Sequence, residues 1–278
     1  MIWMEGHQLK YCIGEFASIL GVTADTLRLY EKHDIVKPTK DNSNNYRYFN
    51  DLDARDLLMS RWYRSIGIPL PEVATLMKES SLEIVMGRMQ ETALSLEEEI
   101  KQKTMLLNKM NEIHKELREL ESSLYTCKLK QVPGMYRLKQ TDKNALLKND
   151  VVKSLVNTWM ELLPYAFYSF RIEDTGIFFS ENNNFDYSWG LTLLEKEARK
   201  FEMDSEEYAE YISPSLCISA TIVCPDEKYI TKKALQFMID YIEANHYAIA
   251  GDVVGKLLLT EKIEGQNRSY LEVNIPIR

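Results

Sequence analysis

The closing segment of this sequence, SYLEVNIPIR, carries the residues best suited to binding chemistry. Alternation along a strand puts Tyr270, Glu272 and Asn274 on one face, and Leu271, Val273 and Ile275 on the other. The apolar face reads as core. The opposite face sets a carboxylate beside an aromatic ring, a floor suited to a cationic aromatic ligand. Ring faces attract cations, and a bound cation offsets the cost of burying an unpaired carboxylate. Alternation alone also allows an ordinary solvent-facing Glu272. Tyr187 and Trp189 share one strand face, and Tyr168 and Phe170 share another; some of them are expected to line a cleft with Tyr270, the others to pack. A second place is Tyr46-Arg47-Tyr48, an arginine between two tyrosines after a polar run, which reads as a surface site. Other chemistries lack their residues. Cys12, Cys127, Cys217 and Cys224 form no Cys-x-x-Cys pair, so a zinc site or redox motif is not expected and they read as reduced thiols. His246 is the sole histidine after His114. With no Ser/His/Asp or Cys/His set, the expectation is no enzyme, no cofactor and no metal.

The elements that must position these residues can be read in order. Residues 13–20 have apolar positions spaced for a short amphipathic helix, which Gly21 ends. Thr23 is a good N-cap for a second helix reaching about His33. Two short helices around one glycine make a helix-turn-helix. Short β-like segments at 35–38 and 46–49 flank a polar loop at 39–45, a hairpin that would form a wing. Asn50 or Asp51 caps a third helix ending near Gly67, and Pro69 and Pro71 start a fourth.

From residue 81 to 128 there is no proline and one glycine. Apolar residues at 82, 85, 89, 93, 96, 100, 107, 110, 113, 117, 120 and 124 step by three and four, as in a coiled coil; Lys103 interrupts the series once. A helix of about 45 residues is about 68 Å long and needs a partner for its seam, most simply a second copy. The pattern leaves parallel and antiparallel pairing open. After Val132-Pro133-Gly134 the predicted order is strand (135–139), helix (144–163), strand (165–172), strand (187–194). It then repeats as strand (216–223), helix (231–245), strand (253–260), strand (270–277). Two such units predict a pseudo-twofold α+β domain with a cleft. The expected division is an extension at 1–10, a DNA-binding domain at 11–79, a dimerisation helix at 80–130 and an effector domain at 131–278.

Bulk properties bound the function. The chain has 278 residues and a formal net charge of −8, which argues against general affinity for nucleic acid. Residues 10–64 carry nine Lys or Arg and eight Asp or Glu, so any grip on DNA depends on where those groups sit. No apolar run is long enough to span a bilayer and residues 1–10 do not read as a signal peptide, so the expected location is cytoplasmic, without a membrane partner.

YCIGEFASILGVTADTLRLYEKHDIVKP at 11–38, followed by NNYRYF, resembles the mercury-resistance regulator (MerR) family of bacterial transcription factors. Leu29 stands where that family often has tyrosine, and Asn45 where it often has glycine. The resemblance implies a winged helix-turn-helix in which Thr26 and Arg28 face DNA and Tyr30 supports a backbone contact. Tyr46, Arg47 and Tyr48, with Lys37 and Lys40 beside them, would grip phosphates, although Tyr30 or Tyr48 could equally be core. It also implies an antiparallel dimerisation helix, a homodimer on promoter DNA, and RNA polymerase engaged indirectly through that DNA. Metal-responsive members carry cysteines where this chain has Ser80 and Ser81, and Cys127 stands alone near the second position.

The last ~145 residues resemble the gyrase-inhibitor-like effector domains of the drug-sensing branch. That resemblance implies a small aromatic or cationic lipophilic effector at Glu272, and activation of transcription. A second pocket acid common in that branch is replaced by Gly255-Lys256. Two rivals remain: a hydrolase activity in that domain, or a regulator controlled by protein contact without a small ligand.

Overall fold

Capping residues fix the first elements. In a computed structural model of the chain, Thr23 Oγ1 accepts the backbone N–H of Thr26 at 3.1 Å, and Asn50 forms a reciprocal capping box with Asp53. The structure describes residues 10–41, 46–142, 145–147, 150–173, 176, 178, 186–203, 209–225 and 230–278. Most of the expected N-terminal extension, the loop at 42–45 and the expected helix start at Asn144 lie outside them.

The chain divides into two units, Met1–Met105 and Leu106–Arg278. In the first, β1 (Tyr11–Cys12) leads into α1 (Ile13–Leu20), which Gly21 ends in the left-handed region at φ 63°. Next come α2 (Ala24–Lys32), β2 (Thr39–Lys40) and β3 (Arg47–Phe49), with strand order β1-β3-β2. α3 (Asp51–Ser65) and α4 (Leu70–Glu79) complete the domain. Phe16 stacks on Phe49 with ring centroids 4.8 Å apart, and both pack with Leu27, Leu57 and Val73 in one core. This is the winged helix-turn-helix that the caps and periodicity predict, except that the first wing strand is Thr39–Lys40 rather than 35–38, because Ile35 and Val36 turn into the core.

α5 (Leu82–Arg118) runs for 37 residues, about 56 Å at 1.5 Å per residue. It ends six residues before the last position of the apolar series, Leu124. α6 (Leu120–Ser123) follows, and residues 128–132 are a strand, β4 (Lys128–Val132), rather than the helix tail. The seam also divides in two. Leu82, Leu96, Ile100, Leu107 and Met110 are exposed, whereas Leu120 is buried within the second unit. The full series therefore does not serve a partner helix, because its last residues pack within their own chain.

The second unit is built on an eight-stranded antiparallel sheet. Its remaining strands are β5 (Met135–Lys139), β8 (Phe167–Ile172), β9 (Ser188–Leu194), β10 (Glu210–Ile212), β11 (Ser215–Pro225), β12 (Val253–Ile263) and β13 (Gln266–Pro276). A small hairpin, β6 (Thr141–Asp142) with β7 (Ala145–Leu146), stands apart. The order β10-β5-β9-β8-β12-β13-β11-β4 is symmetric about the β8–β12 seam. Each half contributes a strand, a helix and a hairpin: β5, α7 (Asp150–Glu161), β8 and β9, then β11, α9 (Lys232–Ala244), β12 and β13, with α8 (Glu195–Lys200) between the halves. The doubled layout predicted from sequence is present, with an addition. The strand preceding each half crosses to the other: β4 pairs with β11, and β10 with β5. Ile218, Ile222, Leu271 and Val273 pack with Leu235, Met238 and Ile242 of α9 in one large core. The same strands are thus left with a second face bearing Glu272 and Asn274.

Candidate nucleic-acid interface and ligand cavity

In the first unit, α2 turns Leu27 and Tyr30 into the core and leaves Arg28 exposed. Thr26 is half-buried, with Oγ1 2.9 Å from Thr23 Oγ1. Arg28 Nη1 donates to Asp25 Oδ1 at 2.5 Å, with the arginine side chain 61% exposed. Such a pair contributes at most about 1 kcal/mol in water, so a phosphate or base edge can replace the carboxylate. Arg47 Nε donates to both Glu31 carboxylate oxygens, at 2.8 and 3.0 Å, and so ties the wing to α2. Lys40 lies opposite Arg47 in the β2–β3 ladder and is exposed, as are the Lys37 and Tyr46 side chains. The Lys37 backbone N–H donates to Asp53 Oδ1 at 2.8 Å, which fixes the start of the wing. Tyr48 is half-buried. Tyr30 is only 5% exposed and packs in the core, so the expected backbone contact gives way to a packing role. Helical spacing puts Tyr30 three residues after Leu27, on the same inward stripe.

In the second unit a cavity of about 320 Å³ lies on the sheet face opposite α9. Its apolar lining comes from Val132, Pro133, Met135, Phe167, Leu194 and Val254, and Ile113 of α5 adds to it. Its polar lining is three basic and three acidic residues together with Asn274. Lys130 Nζ donates to both Glu272 oxygens at 2.6 and 2.7 Å, and Asn274 Nδ2 donates to Glu272 Oε1 at 3.1 Å. Lys256 Nζ donates to both Glu116 oxygens at 2.8 and 2.6 Å, and sits 5.4 Å from the Phe167 ring centroid. Lys109 pairs with Glu112 at 3.4 Å, one turn along α5. Burial pushes the Glu272 carboxyl up, but the Lys130 charge and hydrogen bond, with help from Asn274 and Lys256, hold it below the ordinary carboxylate value.

Glu272 thus lines a cavity, on the strand face that alternation assigned to it. The aromatic residues expected beside it do not. Phe170 and Tyr187 are buried in the α9-side core with Trp189 packed against them, and Tyr168 stacks on Trp189 at 5.2 Å. These side chains occupy the helix-facing side of the sheet, because Phe167 and Ser169 take the cavity-facing positions of β8 and the pleat sends Tyr168 and Phe170 the other way. Tyr270 shares the parity of Glu272, yet its hydroxyl donates to Glu261 Oε1 at 2.6 Å and the ring is not among the lining residues. The β12–β13 register shifts between Leu257 and Leu259, next to the Tyr270 pairing. The lone carboxylate awaiting a cation is also absent, since Glu272 already holds Lys130. Lys130 was missed because β4 read as helix. A second acid lines the cavity all the same, Glu116 of α5.

Arg137 also escaped the sequence reading. It is fully buried on β5, where Nη2 donates to Ser188 O at 2.7 Å and Oγ at 2.9 Å, and Nη1 to Glu210 at 3.1 Å. Arg171 shares Glu210 at 3.0 Å and pairs with Asp252 at 2.5 Å. Burial lowers the Arg137 pKa, against the pull of Glu210. Gly190 leaves room for this chain crossing: a Cβ there would meet Leu138 O at 2.3 Å and Arg137 Cζ at 3.3 Å. An arginine inside the apolar run MYRL was the available signal. Burial also raises the thiols of Cys127, Cys217 and Cys224, the last to about 11, which makes them poor nucleophiles.

Residues 11–80 match the family described as "MerR HTH family regulatory protein". The chain is 26% identical over 113 residues to the HTH-type transcriptional activator TipA of Streptomyces coelicolor, covering 36% of this chain and 45% of TipA. It is 34% identical over 65 residues to the HTH-type transcriptional regulator ZntR homologue of Haemophilus influenzae, covering 23% of this chain and 48% of that protein. The chain spans about half the length of these curated relatives. Among solved structures it is similar to the EcmrR–DNA complex, with TM-score 0.37, 17% identity, and coverage of 96% of this chain and 99% of that one.

Proposed function

We propose that this protein, whose residues 11–80 are a MerR-family helix-turn-helix domain, is a transcription regulator that binds promoter DNA as a homodimer and responds to a small molecule in the second unit's cavity. One observation carries the reading. Glu112, Ile113 and Glu116 of α5 line the cavity, and the same unbroken helix begins at Leu82, next to the DNA-binding domain. An occupant therefore touches an element that also belongs to the DNA-binding unit. The exposed α5 residues Leu96, Ile100, Leu107 and Met110 supply an apolar stripe for the second copy, in the antiparallel arrangement the family resemblance implies. Occupancy then biases the dimer between two arrangements, and one of them distorts promoter DNA so that polymerase engages it better. Activation is supported by the name of TipA. Arg28, Lys37, Lys40 and Arg47, with Thr26, Tyr46 and Tyr48, form the DNA contact set, and a cytoplasmic location follows from that role. Among the described residues no helix is long and apolar enough to cross a membrane.

Arg47→Ala tests the DNA half of this reading. On an operator selected from random duplexes, the variant is expected to bind more weakly and to lower the salt slope by about one. Equal affinity with an equal slope rejects Arg47 as a phosphate contact.

A further inference from the structure

The cavity's ion pairs bear on the charge of what enters it, and this inference rests on the ligand-responsive reading above. Among the described residues, every carboxylate that lines the cavity is held by a lysine that also lines it: Glu272 by Lys130, Glu116 by Lys256, and Glu112 by Lys109. Three acids and three lysines leave the lining formally neutral. Glu272 is the most enclosed of the acids, with its side chain 15% exposed, and both of its oxygens are taken by Lys130. An entering monocation meets no unpaired anion. It would bring an uncompensated charge into the cavity, or would have to expel a lysine from a two-oxygen contact. Lys256 already fills the cation position over the Phe167 ring, so that aromatic face is taken as well. A monoanion faces the mirror problem, because each ammonium is also committed. An uncharged molecule disturbs none of the pairs and gains the apolar lining of Val132, Met135, Phe167, Leu194 and Val254.

We infer that the cavity selects an uncharged, largely apolar small molecule over a lipophilic cation, and that Lys130 and Lys256 set this preference by acting as built-in counter-ions to Glu272 and Glu116. The lysines are specificity determinants. Removing either one unpairs a carboxylate and converts the cavity into a cation site.

Calorimetric titration of the full-length protein with triphenylphosphine oxide (neutral) and tetraphenylphosphonium (cationic) tests this. The wild type is expected to bind the neutral probe more tightly. Lys130→Met and Lys256→Met are each expected to raise phosphonium affinity about tenfold while leaving neutral-probe affinity within about twofold. The two variants lie on different strands, so a folding defect in one leaves the other to decide, and retained neutral-probe binding reports an intact cavity. Tighter phosphonium binding by the wild type, or phosphonium affinity unchanged in both variants, overturns the inference and leaves the sensor reading standing. Failure of both probes to bind wild type and variants alike overturns the sensor reading itself.

Discussion

The DNA-binding unit and the cavity use the same device in different surroundings. On α2 and the wing, Arg28 is held by Asp25 and Arg47 by Glu31; around the cavity, Lys130 is held by Glu272 and Lys256 by Glu116. At Arg28 and Asp25 the side chains are 61% and 86% exposed, so water screens the pair and exchange for a phosphate costs little. At Glu272 the carboxylate is enclosed, and losing its partner leaves a charge that water reaches poorly. The exposed Arg28–Asp25 pair thus keeps an arginine oriented yet available, the half-buried Arg47–Glu31 pair lies between, and the enclosed Lys130–Glu272 pair fixes the charge of a cavity. The lesson is that the surroundings of an ion pair, more than its geometry, decide whether it can serve as an exchangeable contact.

The contrast can be attacked from its strongest side first. One member of each enclosed pair, Lys256 and Glu272, stands on β12 or β13, strands whose close approach depends on Gly255. A Cβ there would meet the Phe170 ring at 2.0 Å and the Glu272 carbonyl oxygen at 2.6 Å. Gly255→Ala is expected to destabilise the second unit by about 3 kcal/mol, read as a lower urea midpoint for that unit. A midpoint matching wild type would show that the seam tolerates overpacking.

Lys130→Met comes next, with an expected loss of about 2 kcal/mol at pH 7. That is below the figure for a fully buried pair, because Lys130 is 35% exposed. The pH dependence gives a second reading. The Glu272 pKa is depressed in the folded protein, so the pair's contribution is complete above the ordinary carboxylate value and fades as pH falls through the folded one. In the variant, burial without the lysine raises that pKa, so acidification removes the penalty. The stability gap between wild type and variant should therefore narrow on going from neutral pH to about pH 4. A gap independent of pH would place the loss in packing of the lysine stem.

The smallest effects belong to the pairs on α2 and the wing. Asp25→Asn is expected to change stability by under about 1 kcal/mol, since Arg28 is 61% exposed, and Glu31→Gln by about 1 kcal/mol, since the Arg47–Glu31 pair is half-buried. DNA affinity should rise a few-fold for each, measured by anisotropy at fixed salt, because a carboxylate competing with phosphate is gone. A drop in affinity would mean that orientation of the arginine outweighs repulsion.

The N-terminal domain was legible because its determinants are neighbours in the chain. Thr23 caps a helix by accepting a bond from Thr26, Gly21 turns the chain within two residues, and Asn50 and Asp53 close a box across one turn. The doubled strand-helix-hairpin order was legible for the same reason, since periods of two and near four are local. The length of α5 was not. An apolar series with helical spacing continues through Leu124, but burial of Leu120 in the second unit and the pairing of β4 with β11 end the helix early. The cavity was only half legible. Alternation placed Glu272 and Asn274 together, yet it could not say which face of β8 and β9 would meet the helices, and so it chose Tyr168, Phe170, Tyr187 and Trp189 over Phe167.

Strand parity, caps and the helical stripe of the DNA-binding domain were decided by covalent order, because each needs only residues a few positions apart. The partners of Glu272 and Lys256 were decided by the fold. Lys130 is 142 residues from Glu272 and Glu116 is 140 from Lys256, and no local rule connects such positions. The strand order β13-β11-β4 closes the first pair and the packing of α5 on the sheet closes the second, and with them the charge of the cavity.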